Sequence, residues 1–288
     1  MLQQTTVASV IANRRFELFL EQFPDIEAMS AASECEILKA WEGLGYYNRV
    51  RNLQRTAREI LEKFDGKFPP DAPTLETLPG VGKYTAGAVS SFAFDQAAPI
   101  VDGNIARVVS RLFNSSLAVD TTAGQKAIWE YAGQLLDQRH PRLFNSALME
   151  LGQTKCSPRK PSCHDCPVSD FCQCREPESL PVKKPRRQFV EVDEHTFLFC
   201  KGSRVLLARG DESRRRGFWH LPTREAEACS HLEPESRHRY TITHHRVTVH
   251  LYRADPGVLR EGEAFHSIHD LETLPIASPI RKILERSL

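Results

Sequence analysis

Four cysteines, Cys156, Cys163, Cys166 and Cys172, follow the spacing C-x6-C-x2-C-x5-C around the proline-rich run SPRKPSCHDCP. Thiolates are soft metal ligands, and zinc sites usually present two close pairs. A single close pair flanked by two more distant cysteines suits a cluster whose four irons each take one thiolate, so an iron–sulfur cluster is expected. Disulfides are not expected in a chain read as intracellular. Cys174 is then left over, and Cys35, Cys200 and Cys229 are read as structural.

A second chemical constellation lies upstream. In Leu78-Pro79-Gly80-Val81-Gly82 two glycines let backbone N–H groups approach an anion, and the segment that follows offers the positive N-terminus of a helix to a phosphate. Ala86, Val89 and Ala93 recur at helical spacing after it, which puts the glycines at a helix start. Gly-x-Gly alone is equally an ordinary tight turn. Asp102-Gly103-Asn104 opens another helical pattern, Ile105, Val108, Val109 and Leu112. Asp and Asn serve there as caps, or Asp102 is a carboxylate facing the same ligand as the glycine turn, and one residue can do both. Gly43-Leu44-Gly45-Tyr46-Tyr47 is a turn that either presents a ring to a base stack or packs both tyrosines in the core.

These residues need elements to position them. Ile37, Leu38, Trp41 and Leu44 are spaced as one helix face and Leu53, Ala57, Ile60 and Leu61 as another, so residues 1 to 62 read as wholly helical. The chain opens directly in helix-like sequence, with no capping residue before it. Helical spacing continues from Thr121 to Leu151. Composition shifts near Arg175 to a polar, proline-rich linker. Beyond it, Thr196 to Cys200 and Val205 to Ala208 are expected to form a hairpin, and Thr241 to Tyr252 a strand. Ser278-Pro279 starts a last helix carrying Ile280, Ile283 and Leu284. The expected division is residues 1–175, a linker at 176–190, and a small α+β domain at 191–288.

At 288 residues the chain can bury two cores. A net charge of +1 conceals clusters at Arg49, Arg51, Arg55 and Arg58, at Arg214 to Arg216, and at Lys183, Lys184, Arg186 and Arg187, so contact with a polyanion would be local. The sequence has no apolar run of membrane-spanning length and no signal-peptide core at its start, so the expected location is cytoplasmic, with nucleoid association in a bacterium.

Taken in order, Met-Leu-Gln-Gln-Thr, Gly-Leu-Gly-Tyr-Tyr, Leu-Pro-Gly-Val-Gly-x-Tyr-Thr-Ala-Gly, Val-Asp-Gly-Asn, Phe-Asn-x-Ala-Leu-Met-Glu-Leu-Gly, the four cysteines and Thr-His closely resemble the MutY family of adenine DNA glycosylases. The resemblance runs along essentially the whole chain. It implies an all-α helix-hairpin-helix glycosylase domain with a [4Fe–4S] cluster, followed by a small α+β Nudix-like domain that reads the lesion. The implied activity is removal of adenine mispaired with 8-oxoguanine, or with guanine, in double-stranded DNA, and a monomer is expected because no palindrome has to be matched. Carried over position by position, the resemblance makes Asp102 the carboxylate that stabilises the sugar cation, assisted by Tyr84 and Asn104. Gln3 and Tyr46 would be wedges, Leu2, Gln4 and Thr5 would line the lesion and adenine contacts, Gly80 and Gly82 would clamp the DNA backbone, and Thr243 and His244 would read 8-oxoguanine. Cys156, Cys163, Cys166 and Cys172 would hold the cluster.

The sequence departs from the family pattern in three places. The family's general acid is a glutamate lying just before Met-Leu-Gln-Gln-Thr, together with an upstream tryptophan-containing helix. The resemblance therefore implies an N-terminal truncation: either a start placed at an internal methionine, which the uncapped beginning favours, or a lesion-binding product without turnover. Losing a positioned acid typically costs ~10²–10⁴-fold in rate. Ser146 stands where the family has a longer Gln or Glu against adenine, and the region of Gly217 to Pro222 looks shortened. The second domain also lacks the acidic Nudix box, which excludes nucleotide hydrolysis there. The rival enzyme is an endonuclease III-like glycosylase with lyase activity, which needs a Schiff-base lysine where this chain has Tyr84. Lys83 is one residue away, a helical rotation of about 100°.

Overall fold

A computed structural model describes the chain apart from residues 4, 186, 187, 211–214 and 243 and the side chain of residue 13. The chain forms two compact units, one made of Met1–Arg58 with Arg187–Leu288 and the other of Glu59–Arg186. The first unit is discontinuous in sequence, unlike the contiguous division expected from composition. Its core shows why: Phe218, from the C-terminal part, is buried with Phe19, Ile37, Leu38, Trp41 and Leu44.

The N-terminal part runs through short helices α1 (Val7–Ile11), α2 (Arg15–Gln22), α3 (Ile26–Ala31) and α4 (Glu34–Ala40) into the long α5 (Asn48–Phe64). Two expectations are corrected here. The first helix is capped, because the Thr6 hydroxyl accepts from the Ser9 amide at 3.2 Å. Residues 1 to 62 are also not one helical run. Asp25 caps α3 and the Ser33–Glu36 capping box starts α4, each forcing a break before it. On α5 Leu53 is exposed, and Val50, Gln54, Ala57 and Ile60 face inward; the Gln54 amide bonds the carbonyls of Met29 and Ala32 at 3.2 and 2.6 Å.

The second unit contains α6 (Ala72–Glu76), α7 (Lys83–Phe94), α8 (Gly103–Leu112), α9 (Thr122–Leu135) and α10 (Pro141–Thr154). The helical spacing from Thr121 to Leu151 is two helices, parted where Pro141 takes the first position of α10. Ile105, Val108 and Val109 of α8 and Ile128 of α9 make the core of this unit. No helix among the described residues is long and apolar enough to cross a membrane.

The C-terminal part has strands β1 (Val190–Phe197), β2 (Cys200–Lys201), β3 (Arg204–Arg209), β4 (Trp219–His220), β5 (Thr223–Arg224), β6 (Ser236–Ile242), β7 (His245–Tyr252) and β8 (Glu263–Ser267), then helix α11 (Ser278–Ser287). One sheet has the order β5-β1-β7-β6, with β1 parallel to β7 so that Thr196 faces Leu251. In the other, β3 pairs with β2, β4 and β8. The expected hairpin is therefore narrower: Cys200 and Lys201 pair with Val205 and Arg204, whereas Thr196 belongs to the other sheet. The strand expected at Thr241 to Tyr252 is the end of β6 plus β7, paired antiparallel. Ile280, Ile283 and Leu284 of α11 are buried against the apolar row Val247, Val249 and Leu251, as their spacing predicts.

Candidate active site and cluster loop

The glycine turn is built by its own residues. Val81 donates to the Leu78 carbonyl at 3.1 Å, with Pro79 second and Gly80 third in the turn. Gly80 has φ +72°, a left-handed backbone that favours glycine. Gly82 is the N-cap of α7 and supplies no side-chain acceptor to that helix start. Tyr84, in the first turn of α7, is half-buried; burial, then the charge of Asp102, raises its hydroxyl pKa above the ordinary tyrosine value, so it is a neutral donor at physiological pH. Lys83 points its ammonium at the Trp129 ring, 4.2 Å from the centroid.

Asp102 caps α8. Its Oδ1 accepts from the Ile105 amide at 2.7 Å and its Oδ2 from the Asn104 amide nitrogen at 3.1 Å. The line of contacts continues inward: Arg107 donates to Asn104 Oδ1 at 3.1 Å, to the Gly152 carbonyl at 2.7 Å and to the Cys156 carbonyl at 2.9 Å. The absence of a side chain at Gly152 allows α10 to approach, because a Cβ there would lie 3.0 Å from the Cβ of Asn104. Gly87 does the same for α7, where a Cβ would come within 2.4 Å of the Pro99 carbonyl oxygen. Tyr84, Asp102 and Asn104 thus fall into one neighbourhood. Ser146 is exposed and returns its hydroxyl to the Arg142 carbonyl of its own helix at 2.8 Å.

One turn further along α8, Arg111 holds the cysteine loop. Its guanidinium donates to the carbonyls of Leu180 (3.2 Å), Ser157 (2.7 Å) and Pro158 (3.0 Å) and to Cys156 Sγ (3.3 Å). Cys156, Cys163, Cys166 and Cys172 line one cavity of about 120 Å³, whose walls include Val108, Leu112 and Leu151. Burial, then the neighbouring thiols Cys156, Cys166 and Cys172, pushes the Cys163 thiol up. Four thiols converging on an apolar-walled cavity are the donor set that four irons require, and iron supplies the positive charge that makes them thiolates. Cys174 lines the same cavity. Cys229 is buried, whereas Cys35 is exposed on α4 and has no part in the core.

The remaining expected contact residues lie in the first unit. Tyr46 adopts φ +49° and is half exposed at 50%, whereas Tyr47 packs its ring 4.2 Å from that of Phe218. One ring of the pair is therefore open to solvent and the other is packed. Leu2 is exposed, as is Gln3, and the Thr5 hydroxyl accepts from Arg49 at 3.0 Å. His244 is exposed in the β6–β7 connection, its ring 4.1 Å from that of His245. Gln4 and Thr243 lie outside the described residues.

The family model of the HhH-GPD superfamily of base excision DNA repair proteins matches residues 1–132, and that of the iron-sulfur binding domain of endonuclease III matches residues 156–172. The chain is 44% identical over 177 residues to the Homo sapiens adenine DNA glycosylase, covering 61% of this chain and 32% of that protein. It is 32% identical over 307 residues to the Arabidopsis thaliana adenine DNA glycosylase, covering 92% of this chain and 48% of that protein. The chain is thus similar to adenine DNA glycosylases, to one of them over 92% of its length. It spans between about a third and a half of the length of these two relatives. The solved structure of a thermostable thymine-DNA glycosylase superposes with a TM-score of 0.54 at 34% identity, over 60% of this chain and 78% of that one, which establishes the helical glycosylase fold.

The matched iron-sulfur binding domain spans all four cysteines, which are the residues that hold a [4Fe–4S] cluster. Sequence reasoning missed Arg107 and Arg111, the side chains that hold Asn104 and the cysteine loop, and took Arg49 only for part of a polyanion-contacting cluster. A signal was present: in GNIARVVSRL two arginines four apart interrupt an otherwise apolar helix, and both are buried. The clusters read as sites of polyanion contact are partly spent inside the protein, since Arg51 bonds Glu34 at 2.7 Å and the Arg216 carbonyl, and Arg58 bonds the Ser30 carbonyl at 3.1 Å.

Proposed function

We propose that this chain is a member of the MutY family and acts as a monomer in base excision repair, hydrolysing the N-glycosidic bond of adenine mispaired with 8-oxoguanine, or with guanine, in double-stranded DNA. The observation that carries the reading is Asp102, a carboxylate fixed at both oxygens beside the neutral hydroxyl of Tyr84. Breaking the adenine–sugar bond builds positive charge on the deoxyribose, and a preorganised anion stabilises that charge without reorganising. Asn104 holds the carboxylate's second oxygen, and Gly80 and Gly82 approach a DNA phosphate. Adenine must leave the stack to be reached, which gives Leu2, Gln3, Gln4, Thr5 and Tyr46 their work as wedge and pocket residues. Cys156, Cys163, Cys166 and Cys172 hold the [4Fe–4S] cluster, which cross-links four points of one loop when bound. Residues 191–288 are read as a Nudix-like domain that reads the oxidised base through Thr243 and His244.

Lyase chemistry is disfavoured because the first-turn residue against Asp102 is a tyrosine and Lys83 is engaged by Trp129. The test is single-turnover incubation of the 288-residue protein with duplex carrying 8-oxoguanine opposite adenine, followed by borohydride. Adenine release without covalent capture is the expected result. Efficient capture would establish a lyase, and tight mispair binding with no release would establish a lesion binder.

A further inference from the structure

Arg49, at the start of α5, makes more contacts than its ordinary sequence context suggests. Its guanidinium donates to the carbonyls of Met1 (2.6 Å) and Gln3 (2.5 Å) and to the Thr5 hydroxyl (3.0 Å) on the N-terminal segment. It also donates to the carbonyls of Leu44 and Gly45, both at 2.9 Å, on the glycine turn. Its cationic carbon lies 5.1 Å from the Trp41 ring centroid and 5.8 Å from that of Tyr46. Between the same two segments, Thr5 Oγ1 also donates to the Leu44 carbonyl at a long 3.4 Å. Trp41 Nε1 adds a bond to the Gly45 carbonyl at 3.2 Å, within the turn itself.

This arrangement is hard to explain as scaffolding alone. Among the described residues of the N-terminal segment, Leu2 and Gln3 are exposed and Met1 is packed in part against the apolar core. The turn carries three left-handed residues, Gly43 at φ +87°, Gly45 at +66° and Tyr46 at +49°. The turn is anchored by buried Leu44, whereas exposed Leu2 and Gln3 gain little from hydrophobic burial. A planar fork with five donors reaches carbonyls of two segments from three nitrogens at once, where an ammonium has three donors on a single nitrogen.

We propose that Arg49 is a positioning residue that joins Met1–Thr5 to the Gly43–Tyr46 turn as one preassembled insertion edge, so that its loss slows extrusion of the base while DNA affinity is kept. The inference rests on the reading of Gln3 and Tyr46 as wedges. With the guanidinium in place, the conformational cost of ordering the edge is met on folding; without it, that cost falls on each extrusion event. A wedge displaced by about 1 Å loses on the order of 10²-fold in a step that depends on its position.

The test compares Arg49→Ala and Arg49→Lys with wild type in three measurements on the full chain. Amide exchange of residues 1–6 and 43–47 without DNA reports the edge itself, and affinity for a mispaired duplex reports docking. The fluorescence rise of 2-aminopurine in place of the target adenine reports extrusion, whether or not the protein cleaves. Faster exchange in both variants, extrusion slowed by about 10- to 100-fold in Arg49→Ala and less in Arg49→Lys, and affinity within about threefold of wild type are expected. Wild-type extrusion in the well-folded Arg49→Lys protein, or affinity falling in step with extrusion, would overturn the inference. Absence of adenine release by wild type would instead fail the proposed activity, leaving the exchange and fluorescence results to judge Arg49.

Discussion

The two units bury arginine in different ways. On α8, Arg107 and Arg111 bond carbonyl oxygens, an amide oxygen and a thiol, and no carboxylate hydrogen-bonds either guanidinium among the described contacts. In the C-terminal sheet, Arg224 meets Glu263 in a bidentate pair at 2.6 and 3.0 Å, with both side chains almost fully buried. A guanidinium on carbonyls gathers backbone from several elements and does so at any pH at which the protein survives. Arg224 also bonds the carbonyls of Thr223 and Pro256 at 2.9 and 3.0 Å, but its pairing with the carboxylate depends on the acid staying ionised. The carbonyl-bound pair lies behind the candidate site, where loop geometry matters, and the ion pair lies in a sheet that hydrogen bonding already organises.

The comparison can be tested by removing parts of each arrangement. The largest effect is expected at the loop that Arg111 holds: Cys166→Ser should lose the cluster, with iron content and visible absorbance collapsing, whereas Cys174→Ser should keep both. Equal loss in the two variants would mean that the fifth thiol is also a ligand. Next, Asp102→Asn keeps an oxygen that can cap α8 but removes the charge. Single-turnover adenine release should fall by about 10²–10³-fold while thermal unfolding stays near wild type. Arg111→Met strips donors from three carbonyls, and denaturant unfolding should show a loss on the order of 3 kcal/mol, accompanied by weaker iron retention. The smallest effect separates the two kinds of arginine by pH. Burial draws the Glu263 pKa upward, but the hydrogen bonds of Arg224 and of the Arg260 amide and their charges hold it below the ordinary 4.5. Its stabilisation is therefore complete above that ordinary value and lost as pH falls through the lower folded one. The melting temperature should drop more steeply below pH ~4.5 in wild type than in Glu263→Gln, and Arg107→Met should leave that slope unchanged.

Much of this arrangement was legible in the sequence because it follows from periodicity and capping. Ile37, Leu38, Trp41 and Leu44 are buried as their spacing requires, and Asp102 is a cap because Asp at a helix start has an amide to accept from. The cysteine spacing pointed to one cavity because ligands of a compact cluster must converge. What was not legible depends on contacts far apart in the chain. Arginine is ordinarily exposed, so nothing local marks Arg49 as an internal ligand of carbonyls, and Arg107 and Arg111 are marked only by the apolar helix they interrupt. Tyr46 and Tyr47 are chemically equal neighbours, and only the left-handed backbone at Tyr46 sends one ring outward and the other onto Phe218. Thr6 was overlooked as a cap because the residues before it read as helix. β6 was overlooked because Ser236 to Tyr240 alternates exposed arginines with half-buried polar side chains, a weaker signal than the apolar alternation of β7.

The two oxygens of Asp102 are committed to different partners, one to the Ile105 amide and one to Asn104. In the proposed reaction the carboxylate therefore cannot rotate to follow a moving sugar without uncapping its own helix, so a stable fold and a poised anion rest on the same two hydrogen bonds. A substitution that loosens the start of α8 would then also disturb the proposed chemistry, even when Asp102 itself is untouched.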